Sequence, residues 1–384
     1  MTTGSTSPVD APPTPARRGF WGKLNDEFGF RQLVSDYLIP VETNSIFYLL
    51  GGVLAISLGL EIFSGFLLSL VYTPDAGLAY ATTQHLLAAP GWAVVLNFHF
   101  YNSYLIFGLV MIHMVRVFIT GGYRHGKEGL WLVGVALAGL TFVVSLTGEA
   151  LHWDEVGFGV PWNVSEVLNA VGLADAFNYT SDTLLAIPTA TEKLAQIYVL
   201  HISIVPIALA LFIGWHYLLI RFKGISMPFW ARASGRTAGF SEHIKGWVII
   251  GAVLIGVVLV VSFVAPRDPG TAPQLVSSSP LFGTDDDPGG LGFKPTYPIS
   301  WTRGMNIVAA NFGIDPDIWG AIVAMLVMLV VLLVIPFVDR SEHEPDSTAA
   351  AFNLRKRGWA FLAMGVFWVV LIVGVVQNAI AEAG

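Results

Sequence analysis

Four of the nine histidines, His99, His113, His201 and His216, lie in two long apolar runs, with i,i+14 spacing in one run and i,i+15 in the other. At 100° per residue, 14 residues of helix return to within about 40° of the starting face and 15 to within about 60°, with about 21 Å of rise. Each run therefore presents two imidazoles on one side. The runs are the second and fourth of the chain's apolar segments, so as membrane helices they point the same way. His99 can then face His201 at one level, and His113 can face His216 at the other. Each level offers two ligands where a structural zinc site wants four. Two imidazoles on opposed helices suit the axial positions of a haem b held without covalent attachment.

Glycines repeat the spacing. Gly51 and Gly65 stand at i,i+14 in the first apolar segment, and Gly134 and Gly148 do so in the third. A flat macrocycle between helices needs backbone without side chains at its edges. Arg116, one turn beyond His113, could pair with a haem propionate or be an ordinary boundary arginine. Two such groups stacked across a bilayer would carry electrons through it, with quinol and quinone as lipid-soluble substrates.

The elements that hold these residues follow from composition. The 384-residue chain is 54% hydrophobic and 12% charged, with a mean hydropathy of +0.65 and no cysteine. About 25% charged residues is usual for a soluble domain, so the chain carries too few charges to cover two soluble surfaces. Lack of cysteine excludes disulfides, thiolate metal sites, iron–sulfur clusters and thioether-linked haem. We expect an all-α membrane protein with seven spans, at about 46–72, 94–120, 129–150, 196–220, 246–265, 317–338 and 358–380. Of the 20 Lys and Arg residues, only Lys193, Arg267, Lys294 and Arg303 fall on the side opposite the N-terminus, which places the N-terminus in the cytoplasm and the chain in a cell membrane.

Residues 1–16 read as a disordered tail. Residues 17–40 read as an amphipathic surface helix with Trp21, Leu24 and Phe28 on one face. A four-helix haem domain over 41–226 and a three-helix portion over 240–384 meet at the Pro-, Ser-, Gly- and Arg-containing stretch Met227 to Gly239. The external loops, about 151–194 and 266–316, are too long for plain connectors and are expected to build a site or docking surface. The acidic run Asp285 to Asp287 could help dock a basic partner or be a solvated loop.

The segments His99…His113-Met114-Val115-Arg116 through Gly121-Gly122-Tyr123, and His216 through Arg221, Gly224 and Pro228, resemble the cytochrome b of quinol-oxidising bc and bf complexes. The likeness extends from Tyr37 onward and is nearest to the chloroplast and cyanobacterial type, here with its separate three-helix subunit fused on. It implies two haem b groups ligated by His99, His201, His113 and His216. It also implies a dimer, a Rieske iron–sulfur protein, a c-type cytochrome or equivalent acceptor, and a Q-cycle; no nucleic acid is expected.

Three departures stand out. The chloroplast type's extra cysteine-linked haem has no attachment point. His152 replaces the proline of the family's external Leu-Pro-Trp. Where the family has Pro-Glu-Trp-Tyr, whose Glu takes a quinol proton, this chain reads Pro295-Thr296-Tyr297-Pro298. Glu149, His152, Asp154 and Glu155 cluster at the depth of His99, and one of them, or His152 first, is expected to replace that base. Lys223, His243 and Lys245 could supply protons to quinone at the other end. Glu61 lies inside the first span, where a charge is costly; it is either neutral or in contact with the outer haem region, and the sequence does not choose. Two further functions compete: a membrane anchor feeding quinol electrons to another external reductase without a full Q-cycle, and a non-redox transporter with proton- or metal-binding histidines.

Overall fold

The structure is a computed structural model that describes residues 38–230, 235–265, 267, 300–314, 318–342 and 345–383. Among these the chain is almost wholly helical. The tail, the surface-helix residues 17–37, Asp285 to Asp287 and Pro295 to Pro298 lie outside the described residues. The surface helix does not extend to 40: Leu38–Pro40 (β1) pairs antiparallel with Thr237–Gly239 (β2), Ile39 opposite Ala238. Pro40 disfavours helical backbone at Ile39, which leaves the segment extended.

Seven helices are long and apolar enough to cross a membrane. They are α1 (Ile46–Ser69), α3 (Pro90–Ile119), α4 (Glu128–Leu151), the continuous run α7 (Ile187–Val199) to α8 (Val205–Lys223), α9 (Phe240–Val264), α11 (Ile318–Val338) and α13 (Leu354–Ala383). Shorter helices are α2 (Ala79–Ala88), α5 (Glu155–Ala170), α6 (Ser181–Leu185), α10 (Ser300–Asn311) and α12 (Thr348–Ala351). Large side chains such as Phe63, Leu211, Val253 and Phe263 lie exposed along the spans. With lipid as their solvent they need no protein partner.

Helix α1 packs on α3, and α4 on α8, while α9 packs across both α1 and α3. Helices α10, α11 and α13 form a second packed group that meets α4 through α11. The approach of α10 to α13 is backbone against backbone: a Cβ on Gly304 would overlap the carbonyl of Gly374.

One polar knot joins the two groups. Arg357, fully buried on α13, pairs through Nε with Asp339 Oδ2 at 3.0 Å and donates to the carbonyls of Phe118, Ile119 and Ala351. Tyr123 Oη donates to the same Asp339 oxygen at 2.6 Å. The charge is buried, but its donors are shared among acceptors, which is the condition under which such burial is tolerated.

The long loop after α4 is folded. Trp153, Phe158, Leu184 and Leu194 close over Ala76 and Ala79 as a small core at the His99 end, and Trp153 Nε1 donates to the Ala76 carbonyl.

Candidate functional site

His99 on α3 and His201 on the α7–α8 run face each other with ring centroids 6.1 Å apart and ring planes at 80°. A metal at about 2 Å from each imidazole nitrogen places two ring centroids about 6 Å apart. The spacing therefore fits one metal between them, and among the described residues no cluster of three or more His or acidic groups competes for it.

The glycines meet the histidines one for one. A Cβ on Gly65 would lie 3.0 Å from His99 Cε1, and one on Gly148 would lie 2.7 Å from His201 Cε1. At the other level a Cβ on Gly51 would approach His113 Cε1 at 3.4 Å, and one on Gly134 would approach His216 Cε1 at 3.6 Å. The four histidines and four glycines paired by spacing in the sequence are thus brought together in space. Helices α1 and α4 supply side-chain-free walls, and α3 and α7–α8 supply imidazoles. The cradle that a Cβ would fill and the 6.1 Å ring spacing both fit a flat group ligated through two imidazoles.

The two levels differ in how the rings are held. His99 Nδ1 is 3.0 Å from Ser64 Oγ and 3.3 Å from Glu61 Oε1. His201 Nδ1 is 3.0 Å from the Val144 carbonyl and 3.2 Å from Thr147 Oγ1. Anchoring Nδ1 in this way leaves Nε2 for a metal and sets the ring's orientation. His113 Nδ1 and His216 Nδ1 are buried with no hydrogen-bond partner among the described residues. Sequence reasoning missed Ser64 and Thr147, although each directly precedes its glycine; the corresponding positions at the other level, Leu50 and Val133, are aliphatic.

The unequal spacings have a structural cause. Leu200–Ile204 forms a π-helical turn, with His201 inside it. Pro206 follows. It has no N–H for the carbonyl four residues earlier, and its ring crowds that carbonyl. A wider turn relieves the crowding and absorbs one extra residue. An i,i+15 spacing that contains one π turn is then equivalent to i,i+14 in regular helix, so His201 and His216 share a face as closely as His99 and His113 do.

Beyond His99 lies the acidic cluster. Arg267 Nη2 reaches Asp154 Oδ2 at 3.1 Å and Glu149 Oε1 at 3.6 Å, with its guanidinium 4.8 Å over the Phe100 ring. Asp154 also caps α5, accepting from Gly157 N at 2.7 Å. Burial raises the Asp154 carboxyl above its usual value, opposed by Arg267 and by that cap. Glu149 and Asp154 are therefore held in a structural ion cluster. His152 is placed differently: its ring lies 6.1 Å from Phe100, and its enclosed Nδ1 has no partner among the described residues. Burial, then the charges of Arg267, His99 and His201, hold its imidazole well below the usual histidine range. Glu155 opens α5 one residue after the cap.

At the His113 end the Arg116 guanidinium lies 4.4 Å over the Tyr48 ring, with Nε unpartnered among the described residues. His243 is buried between Phe240 and Trp247, and its Nδ1 also has no partner there. Lys245 is exposed and pairs with Glu242 at 2.6 Å. Lys223 is exposed.

Seven apolar spans define a multi-pass helical membrane protein. The chain belongs to the cytochrome b family: the family model Cytochrome b/b6/petB matches residues 34–224. It is 31% identical over 202 residues to the cytochrome b6 of Oltmannsiellopsis viridis, covering 51% of this chain and 90% of that one. It is 29% identical over 221 residues to the cytochrome b6 of Gracilaria tenuistipitata var. liui, covering 54% and 99%. The whole fold is similar to a chain of a hyperthermophilic respiratory Complex III, with a TM-score of 0.64 and 17% identity over 94% of this chain and 98% of that one.

Proposed function

We propose that this chain is the di-haem cytochrome b subunit of a quinol:acceptor oxidoreductase. It oxidises quinol near His99 and His201 and delivers electrons to quinone near His113 and His216. The observation that carries the proposal is the one-to-one meeting of four glycines with four histidines at two levels. His99 with His201, and His113 with His216, would each hold one haem b, which when bound supplies one-electron transfer along the membrane normal.

The protein's own groups supply the rest. Ser64, Glu61, Thr147 and the Val144 carbonyl orient the outer imidazoles. Quinol loses two protons with its two electrons, and His152 accepts one through its free Nδ1. A neutral imidazole is the form able to do so, and its surroundings keep it neutral. Arg267 holds Glu149 and Asp154 beside it as a fixed field, with Glu155 at the loop edge as the onward acceptor. At the inner end Arg116 binds a propionate, and the buried His243 donates to reduced quinone, in preference to Lys223 and Lys245. The haem domain occupies 41–226 and the fused portion 240–384. The N-terminus is cytoplasmic, and a Rieske protein, a c-type cytochrome or equivalent acceptor and a second copy of this chain complete the complex.

Purified protein should show a reduced b-type band equivalent to two haems per chain. His99→Leu or His201→Leu should remove one haem and His113→Leu or His216→Leu the other. Protein without that band overturns the proposal. The altered Pro295-Thr296-Tyr297-Pro298 favours one second reading, an anchor that feeds another reductase. That reading requires quinol oxidation without inhibitor-sensitive reduction of the inner haem.

A further inference from the structure

Glu61 is the one acidic side chain in the first span, and its two oxygens are both engaged. Oε1 stands 3.3 Å from His99 Nδ1, and Oε2 accepts from Asn102 Nδ2 at 2.7 Å. Asn102 Nδ2 also donates to the Ser57 carbonyl at 2.9 Å, which ties the carboxylate to both α1 and α3. Ser64 spends its hydrogen on the Glu61 backbone carbonyl, so towards His99 it is an acceptor. His99 Nδ1–H therefore faces two acceptors, one of them a carboxylate. His201 faces only neutral oxygens, and His113 and His216 face none among the described residues.

We propose that Glu61 is a positioning residue that sets the redox potential at the His99 level. An acceptor on Nδ1–H makes the imidazole a stronger donor through Nε2, and a carboxylate does so more strongly than a carbonyl. This favours ferric over ferrous iron, lowering the midpoint. An intramembrane carboxylate is costly unless it has such a use. The inference rests on the ligand assignment above, and the two fail separately.

The test is a potentiometric titration of the intact complex carrying Glu61→Gln, with haem counted and the ferric low-spin resonance spectrum recorded. We expect two haems per chain and one wave moved upward by about 59 mV or more, a tenfold change in its oxidation equilibrium. The resonance of that haem should shift and the other wave should stay in place. Asn102→Leu is the second arm: it removes the donor that holds Oε2 and ties the carboxyl to α3, so the same wave should move while the other stays in place. Two retained haems with unmoved waves in Glu61→Gln overturn the proposal. So does loss of the haem in that variant combined with an unmoved wave in Asn102→Leu. Wild-type complex without the outer haem overturns the ligand assignment instead.

Discussion

A Cβ placed on Gly148 would stand 2.7 Å from His201 Cε1, closer than real Cβ contacts come. The His201 ring is held through Nδ1 by Val144 and Thr147, so it has no free direction in which to yield. Gly148→Ala is therefore expected to displace the imidazole and lower haem content from two per chain towards one. Gly65→Ala, with its Cβ at 3.0 Å from His99, should do so partially. Gly51→Ala and Gly134→Ala, at 3.4 and 3.6 Å, crowd their imidazoles less and should lose less haem than the other two. A pyridine haemochrome assay on the four purified variants measures this gradient.

Deleting one residue should have opposite outcomes in the two histidine helices. Removal of Ile202 from the π turn shortens the spacing of His201 and His216 to i,i+14, which regular helix accommodates on one face. Removal of Gly108 from α3 shortens the spacing of His99 and His113 to i,i+13 and rotates one ring by about 100°. Two haems should survive the first deletion and one should be lost in the second, as read from reduced spectra.

His152 should govern the acid limb of quinol oxidation. Its imidazole is held well below the ordinary histidine value, so the proton-accepting form is present at neutral pH and is lost only as pH falls through that lowered value. His152→Ala should slow quinol-dependent reduction about 100-fold or more, within the range general-base catalysis supplies, and abolish that limb. Haem content should be unchanged. Wild-type rates with an unchanged pH profile would sink the assignment.

Arg357→Met should destabilise the fold by about 3–5 kcal/mol, because it leaves Asp339 buried without its cation. Burial acts to raise the Asp339 carboxyl, but Ser341, Tyr123 and Arg357 outweigh it and hold the group below its usual value. Its contribution is therefore complete above the unfolded carboxylate value of about 3.9 and is lost as pH falls through the folded value. Thermal unfolding in detergent should show a lower Tm for the variant at neutral pH and a smaller difference in acid.

Composition and periodicity alone determined the seven spans, the two histidine levels and the glycines opposite them. These signals depend on local spacing: apolar length must match the bilayer, and an i,i+14 repeat returns to one helical face whatever the neighbours do. The sequence also carried the hydroxyl-before-glycine pairs Ser64-Gly65 and Thr147-Gly148 without revealing their use. Only the tertiary structure decided which histidines have acceptors. A hydrogen bond such as that between Ser64 and His99 joins positions on different helices, and nothing in either helix's own pattern encodes the other's rotation. The same reason separates His152 from its acidic neighbours. All of them stand in the short stretch from Glu149 to Glu155, yet Arg267, from beyond the far end of α9, takes Glu149 and Asp154 and leaves the imidazole. Glu61 changed most: a lone charge in an apolar run became, once α1 packed on α3, the carboxylate beside His99.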